Sequence, residues 1–424
     1  MMLKTNFKLV GAALLASVLF YSCTQDQNSP EEEAIFSEND SRFDSQNIEG
    51  QYIVVFNKNM IEDVNSKYPE NYSKAQEAMA DQTRKVLANA SIYSVEILNV
   101  YSKTLSGATL KLTKAQVEQL KGKKEIAYIE QDRIVVFAPP CGTPNGSPCG
   151  EPDPGTGGST GDSQETPYGI TRVNGGGAYA GNAVAWIVDT GIDLDHPDLE
   201  VDASRGFNAF TFGRDSKSLD DGHGHGTHVS GTIAAINNDF GVIGVAPGAT
   251  VIPVKVLDSR GSGYYSGVIA GVEHVGANGK SGDVANLSLG GPASKALDDA
   301  ILAASGNGIK FALAAGNESS DANNSSPARV NSDPNDIDSI IVTISAMDVN
   351  DVWAYFSNFG NPPIDYAAPG VKIKSTWKGG GYNTISGTSM AAPHAAGVLL
   401  LGAAKTDGTV IGDPDGMADA IIVH

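Results

Sequence analysis

The chain has 424 residues, which is enough for two or three domains with a core of ordinary size. Its formal net charge of −20 argues against a nucleic-acid partner, because such a surface would not neutralise phosphates. The content of 49 glycines with only 18% charged residues is typical of a loop-rich globular protein and argues against a disordered chain.

Residues 1–22 predict a signal peptide. Two lysines precede an apolar run, 9–20, which is too short to span a membrane comfortably. The small residue Ser22 stands directly before Cys23, an order that resembles the bacterial lipoprotein signal. Cys23 is therefore predicted to be lipidated and to become the first residue, with simple cleavage as the alternative.

Residues 23–49 are polar and acidic and predict a tether, whereas residues 50–138 predict a small α+β domain. Strands are expected over 52–56, 106–112 and 126–130, and helices over 73–89 and 113–120. Strands that alternate with helices over this length are typical of a ferredoxin-like sandwich. No set of residues in this domain has the pattern of a catalytic site.

Residues 139–163 predict a linker, because the stretch is rich in proline and glycine. It contains Cys141 and Cys149, which are separated by seven residues. If Cys23 carries a lipid, these two cysteines are free to form a disulfide in an oxidising compartment.

From residue 164 to residue 424, short apolar strands alternate with helical stretches. Strands are expected over 183–188, 251–257, 284–289, 310–315 and 340–345, and helices over 262–275, 295–306 and 389–403. This pattern predicts an α/β fold with a mostly parallel sheet, helices on both faces and functional residues at the carboxyl ends of the strands. For the end of the chain, the sequence does not decide between a shortened helix and a strand over 419–423.

Three short motifs in this last domain carry the chemistry. They are Asp189-Thr190-Gly191, His225-Gly226-Thr227-His228 and Gly387-Thr388-Ser389-Met390-Ala391. A serine hydroxyl is a weak nucleophile until an imidazole takes its proton, and the imidazole needs a carboxylate to fix its tautomer. An aspartate, a histidine and a serine in this order therefore suit nucleophilic catalysis.

The three motifs resemble the catalytic signatures of subtilisin-like serine proteases (the subtilase family, peptidase S8). The segment 126–134 similarly resembles the end of their inhibitor-I9-type pro-domain. The resemblance implies a subtilisin-like three-layer fold and a secreted serine endopeptidase that works through an acyl-enzyme. It assigns Ser389 as the nucleophile, His225 as general base and acid, and Asp189 as the group that orients the imidazole. It also assigns Asn317, in Ala-Ala-Gly-Asn-Glu, to the oxyanion hole together with the Ser389 backbone N–H.

The same resemblance implies where polypeptide substrates bind. Ser288, Leu289 and Gly290 would line one side of the cleft, and Gly261, Gly263 and Tyr265 the other. An extended peptide pairing between them is recognised by its backbone, so broad specificity is expected.

Maturation follows from the same resemblance. The pro-domain is expected to act as an intramolecular inhibitor that the enzyme itself cuts off near Phe137 or Ala138. The mature enzyme is expected to be an extracellular monomer, and the precursor to be tethered to a bacterial membrane if Cys23 is lipidated.

The loop 236–242 resembles the calcium loop of the subtilisins, which implies structural calcium. The implied ligands are the side chains of Gln164, Asp198 and Asn238 and the carbonyl groups of Ile236, Phe240 and Val242. Oxygen atoms of these kinds suit calcium.

Two other functions remain open. His223, His225 and His228 could hold a zinc ion for hydrolysis, although the metal motif they resemble needs an aspartate where Thr227 stands. In the protease interpretation, His223 is expected at the surface and His228 in a structural position. The other alternative is a surface-anchored binding protein that kept the fold, and the intact set of four catalytic candidates argues against it.

Overall fold

A computed structural model of the chain describes residues 47–136, 163–330 and 340–424. The described residues all fall in one compact unit, Phe43–His424. The predictions for the signal peptide, Cys23, the linker with Cys141 and Cys149, and the cut near Phe137 or Ala138 therefore fall outside the described residues.

The N-terminal domain has the element order β-α-β-β-α-β, apart from one additional short helix. Its elements are β1 (Asn47–Phe56), α1 (Val64–Lys67), α2 (Tyr72–Asn89), β2 (Ile97–Tyr101), β3 (Gly107–Lys111), α3 (Lys114–Leu120) and β4 (Ile126–Val136). The strands form an antiparallel sheet in the order β2-β3-β1-β4. This is the expected ferredoxin-like arrangement.

Local sequence explains the helix starts of this domain but not all of its strands. Thr113 and Gln116 form a reciprocal capping box at the start of α3, which fixes where that helix begins. Strand β2 was not predicted, because its residues are only half-buried apart from Tyr101 and alternate weakly. Strand β4 continues from the predicted 126–130 to Val136, since its last residues pair with a strand of the following domain.

The C-terminal domain is built on a nine-stranded sheet. Its strands are β5 (Ala185–Asp189), β6 (Phe207–Asn208), β7 (Val251–Lys255), β9 (Val284–Leu287), β11 (Lys310–Ala314), β13 (Ile341–Met347), β14 (Ile364–Pro369), β17 (Lys405–Thr409) and β18 (Ala420–Val423). They lie in the order β17-β18-β14-β13-β11-β9-β5-β7-β6, with all neighbours parallel except the pair β17 and β18. The other strands are β8 (Ser262–Tyr264), β10 (Gly291–Pro292), β12 (Ser325–Ser326), β15 (Ile373–Trp377) and β16 (Gly381–Ile385).

Helices cover both faces of this sheet. They are α4 (Tyr168–Arg172), α5 (His225–Ala234), α6 (Tyr265–Asn278), α7 (Lys295–Ser305) and α8 (Thr388–Leu401), with 3₁₀ turns at Ala203–Arg205, Asp215–Lys217 and Ala322–Asn324. One buried apolar cluster joins α5 and α8 to the sheet, and a second joins α6 and α7 to its other face. The expected three-layer α/β architecture is confirmed, because a parallel sheet must be covered on both sides.

Two differences from the sequence-based elements have a physical reason. The predicted helix 262–275 begins only at Tyr265, because Ser262–Tyr264 form strand β8 and pair with β4. The open question at the C-terminus is settled in favour of a strand, β18, whose apolar, mostly β-branched residues are largely buried beside β14. Among the described helices, none has the length and apolar character needed to cross a membrane.

Candidate active site

The three predicted triad residues lie at the carboxyl-terminal edge of the sheet. Asp189 is the last residue of β5, His225 is the first residue of α5, and Ser389 is the second residue of α8. All three side chains are buried. Nδ1 of His225 lies 2.9 Å from both carboxylate oxygens of Asp189. With Nδ1 engaged by a carboxylate, Nε2 is the ring nitrogen that can exchange a proton with a substrate or a nucleophile.

Asp221 organises the start of the helix that carries His225. Its buried carboxylate accepts hydrogen bonds from the backbone N–H groups of His223 (2.9 Å), Gly224 (2.8 Å) and Thr227 (2.9 Å). A negative charge at a helix N-terminus satisfies free N–H groups and the helix dipole. Asp221 was not predicted, although it lies four residues before the helix start, where an acidic residue is a recognisable signal.

Ser389 lies at the start of α8 and is tied to the stretch before β10. Its Oγ donates to the carbonyl group of Ser288 at 3.2 Å, and Oγ of Ser288 donates to the carbonyl group of Ser389 at 2.8 Å. The predicted substrate residue Ser288 thus lies directly against the predicted nucleophile. The helix dipole at this position favours negative charge that develops beside Ser389.

Asn317 lies beside Ser389 with a fixed amide orientation. Its Oδ1 accepts hydrogen bonds from the backbone N–H of Thr388 at 2.8 Å and from Oγ1 of Thr388 at 3.1 Å. Because a backbone N–H can only donate, the oxygen of the amide must face Thr388. Nδ2 of Asn317 is therefore the atom left to face other groups.

Ser389 and Asn317 line one pocket together with the predicted substrate residues Leu289 and Gly290. The complete lining is Leu289, Gly290, Gly291, Ala314, Ala315, Gly316, Asn317, Glu318, Ser325, Ala328, Thr388 and Ser389. Glu318 is the only acidic residue among them, and its Oε2 accepts a hydrogen bond from Nδ2 of Asn358 at 2.6 Å. Burial raises the pKa of Glu318. The remaining walls are small and mostly apolar.

The other predicted substrate strand holds the end of the N-terminal domain. β4 and β8 pair antiparallel, with Val135 opposite Gly263 and Val136 opposite Ser262. Gly263 has no room for a side chain, because a Cβ there would collide with the backbone carbonyl group of Val256, directly after β7. Gly261, with φ of +76°, closes the turn that leads into β8.

Tyr265 lies under an arginine of the N-terminal domain rather than in the open cleft. Its hydroxyl donates to the carbonyl group of Pro292 at 2.6 Å, and the guanidinium carbon of Arg133 lies 4.9 Å from its ring centroid. Arg133 also donates to the carbonyl group of Ala293 at 2.6 Å. The predicted substrate residues of this side are thus covered by the N-terminal domain.

Glu273 of α6 is a second point of attachment for the N-terminal domain. The carboxylate is buried, and its oxygens accept hydrogen bonds from the backbone N–H groups of Ser102 (2.6 Å), Lys103 (2.7 Å) and Thr104 (2.8 Å). Hydrogen bonds to a charged acceptor are among the stronger ones in proteins. No local sequence pattern predicts this contact, because it joins residues about 170 positions apart.

Acidic side chains of β4 also reach the starts of helices α6 and α7. Asp132 accepts from the backbone N–H of Ser266 at 3.1 Å, and Glu130 accepts from that of Ala296 at 3.1 Å. Both contacts place a carboxylate at a helix N-terminus, where the dipole is favourable. The N-terminal domain is thus held at β8, at α6 and at α7.

The three histidines do not converge on a metal site. Nε2 of His228 lies 3.0 Å from the carbonyl oxygen of Ile373, and burial lowers the pKa of His228 to about 3. His223 is half-buried rather than at the surface as expected, with its ring centroid 6.3 Å from that of His225. Within the described ranges, no group of three or more His, Cys, Asp or Glu side chains is arranged to hold a metal ion.

The predicted calcium ligands form a cage of oxygen atoms. Nε2 of Gln164 lies 2.7 Å from the carbonyl oxygen of Ile236 and 3.2 Å from Oδ1 of Asn238 and from the carbonyl oxygens of Phe240 and Val242. Four oxygens around one amide nitrogen exceed the two hydrogens that it can donate. This crowding of acceptors fits a cation better than an amide.

Asp198 supplies the negative charge next to this cage. Its Oδ1 accepts from Nδ2 of Asn238 at 2.8 Å, and its Oδ2 accepts from the hydroxyl group of Tyr382 at 3.1 Å. Burial raises the pKa of Asp198. Tyr382 was not predicted, since it approaches from the distant strand β16.

Comparison with known proteins agrees with this geometry. Residues 181–421 match the model of the Subtilase family, and residues 51–138 match that of Peptidase inhibitor I9. Alkaline serine exoprotease A of Vibrio alginolyticus is 36% identical over 84% of this chain, which spans only 60% of that protein. Subtilisin E of Bacillus subtilis (strain 168) is 36% identical over 79% of each chain. The crystal structure of a cold-adapted subtilisin-like serine proteinase aligns with a TM-score of 0.52 at 36% identity, covering 60% of this chain and 97% of that one.

Proposed function

The chain belongs to the subtilase family and is a subtilisin-like serine endopeptidase with an I9-type pro-domain, and from this premise we propose how its residues act. Ser389 attacks the scissile carbonyl carbon while Nε2 of His225 takes the hydroxyl proton. The imidazolium then gives that proton to the leaving amine, and water releases the acyl group by the same steps in reverse. Asp189 holds the imidazole and stabilises its charged form.

The buried pair of His225 and Asp189 carries this proposal, because it fixes the tautomer that serine catalysis needs. A fluorophosphonate, which reacts with activated serine hydroxyls, tests it. We expect one equivalent of label on the mature enzyme, and peptide mapping should place it on Ser389. Full activity after complete labelling, or label on another serine, would contradict the proposal.

We propose that Nδ2 of Asn317 and the backbone N–H of Ser389 stabilise the oxyanion. The Thr388 N–H that fixes Oδ1 of Asn317 supports this, because it leaves Nδ2 as the free donor. Asn317→Ala should lower kcat about 10²–10³-fold with little change in KM, the size found for this donor in subtilisin. Steady-state hydrolysis of a chromogenic peptide measures both constants. Asn323→Ala, at an exposed asparagine nearby, is the matched control. An equal loss of kcat in this variant would contradict the specific role of Asn317.

The pro-domain is proposed to inhibit by occupying the cleft and to be removed by the enzyme itself. Support comes from the register that places Val135 and Val136 against β8, since Phe137 and Ala138 follow directly in the chain. A cut near these residues leaves the linker on the mature enzyme. A disulfide between Cys141 and Cys149 in this linker is proposed from the sequence alone.

Glu273→Ala should weaken inhibition of the mature enzyme by added pro-domain about 10²-fold. The reason is that three backbone N–H groups of the pro-domain lose their charged acceptor, and buried unpaired groups cost about 1–3 kcal/mol each. Inhibition constants from progress curves measure the effect. The enzyme variant Asn278→Ala, changed at the exposed end of the same helix, should be inhibited by the pro-domain as strongly as the parent enzyme is. An unchanged constant for Glu273→Ala would show that this contact does not hold the pro-domain.

Polypeptides with a large apolar side chain before the cut are the proposed preferred substrates. The small apolar walls of the pocket support this, and Glu318 is engaged by Asn358 rather than free to attract a basic side chain. Backbone pairing with β8 makes the enzyme tolerant of the other substrate residues.

We propose that Gln164, Asp198, Asn238 and the carbonyl groups of Ile236, Phe240 and Val242 hold a calcium ion. Bound calcium would tie the start of the domain to the loop after α5 and stabilise the fold. Because the uncut chain contains all six of these residues, the Ser389→Ala precursor is suitable for the test.

Chelation should lower the Tm of that precursor by about 5–10 °C. A ligand present at 100 times its Kd contributes about 2.7 kcal/mol, and 1 kcal/mol corresponds to about 2–4 °C in a domain of this size. Differential scanning calorimetry and metal analysis provide the readout. With Asp198→Ala the chelator should have little further effect. If that variant is as sensitive as the parent, the stabilising calcium binds elsewhere.

The enzyme is proposed to act outside the cell, with a precursor anchored by lipid at Cys23. Cleavage near Phe137 or Ala138 would then free the protease from the membrane, since the anchor stays on the pro-domain. Mass analysis of the membrane and soluble fractions tests this. Lipid on an active chain that contains both Cys23 and Ser389 would contradict it.

A further inference from the structure

Lys255 is a lysine buried beside the triad, and the mechanism above does not use it. It is the last residue of β7 and pairs with Asp189, the last residue of β5. Only 1% of its surface is exposed. A buried ammonium group is costly unless it is hydrogen-bonded and paired, so its partners indicate what it does.

The ammonium group of Lys255 has two partners. Nζ donates to the carbonyl oxygen of Thr190 at 2.6 Å and lies 3.3 Å from Oδ1 of Asp215. The side chain of Asp215 is 18% exposed and also accepts from the backbone N–H of Ser259 at 3.0 Å. The shorter contact is thus the one to Thr190, the residue that follows Asp189.

Thr190 in turn contacts both halves of the histidine–aspartate pair. Its N–H donates to Oδ1 of Asp189 at 2.7 Å, and its Oγ1 accepts from the N–H of Gly226 at 3.0 Å, next to His225. The same hydroxyl donates to Asp221 at 2.9 Å. A displacement of Thr190 would therefore move the carboxylate and the start of the histidine helix together.

We propose that Lys255 is a positioning residue, which pins the carbonyl group of Thr190 and so keeps the Asp189 carboxylate aligned with the His225 imidazole. The inference rests on the proposed roles of these two residues. Lys255 does not touch substrate.

The test compares Lys255→Met with Asp215→Asn. Methionine keeps the unbranched length of the side chain but removes the donor and the charge. Lys255→Met should lower kcat about 10–100-fold with KM within about twofold, because small misplacements of catalytic groups have effects of this order.

Asp215→Asn is the matched control, since it removes the ion partner and leaves the contact of Nζ with Thr190. Its kcat at the optimum should stay close to that of the parent. A loss of kcat in Lys255→Met but not in Asp215→Asn, with KM nearly unchanged in both, is not expected from a general loss of stability.

The inference is overturned if Lys255→Met has the parental kcat per active site, counted by fluorophosphonate labelling. It is equally overturned if the variant only melts earlier. If Lys255→Met does not fold, Lys255→Gln, which keeps a donor without the charge, is measured by the same criteria. The Ser389→Ala enzyme distinguishes a failure of the proposed function from a failure of the inference on Lys255. If Ser389→Ala is active, the proposed function is wrong. If it is inactive, the Lys255 variants test only the inference on Lys255.

Discussion

Ser389→Ala should lower peptide hydrolysis about 10⁶-fold, because no other group can form the acyl-enzyme. A loss of this size is found when the nucleophile of subtilisin is removed. The remaining rate comes from substrate binding and the oxyanion donors. Hydrolysis of a chromogenic peptide with an apolar residue before the cut measures the loss. The variant can be freed of its pro-domain by a trace of parent enzyme, which a fluorophosphonate then blocks.

The control for this variant is Ser319→Ala, which changes an exposed hydroxyl in the loop after Asn317. It should hydrolyse the peptide at nearly the parental rate. Calorimetry should show that the Ser389→Ala precursor is folded, since the substitution removes only a hydroxyl group. Activity of the folded Ser389→Ala enzyme within tenfold of the parent would be incompatible with the proposed nucleophile.

Asp189→Asn should lower kcat about 10⁴-fold while KM changes little. The carboxylate accepts a hydrogen bond from Nδ1 of His225 at 2.9 Å, whereas an amide can donate to Nδ1 and so favours the wrong tautomer of the ring. The protein should remain folded, because the two side chains have almost the same shape. Steady-state kinetics of the freed enzyme provides the measurement.

Asp195→Asn tests whether the loss of a charge alone explains such an effect. Asp195 is exposed and lies in the loop that follows the same strand. Its substitution should leave kcat within about twofold, as is usual for exposed charges that are screened by solvent. A comparable loss in both variants would mean that charge in this region, rather than the contact with His225, sets the rate.

The residues of the proposed triad could be predicted because the chemistry is local in sequence. Each residue stands in a short motif at the end of a strand or the start of a helix, and the parallel sheet brings strand ends together. The oxygen atoms proposed to bind calcium could be predicted for a similar reason, since most of them come from the single loop 236–242. In both cases a motif identifies the residues, and the fold brings them close together.

Contacts between distant segments could not be predicted in this way. The extension of β4 to Val136, the hydrogen bonds of Glu273 and the contact of Lys255 with Thr190 each join surfaces that meet only in the folded chain. A buried lysine or glutamate has the same local pattern as an exposed one. The expected surface position of His223 was wrong for this reason, because packing around the start of α5 half-buries it.

We propose that this serine endopeptidase matures by cutting itself. The direct test follows the intact mass of the purified precursor and of its Ser389→Ala variant over time. We expect the normal precursor to be cut near residue 138 and the variant to keep its full length. If both chains are shortened alike, an outside protease does the cutting. If neither is cut and casein is not hydrolysed either, the chain is a binding protein that kept the fold, and the proposed function is wrong.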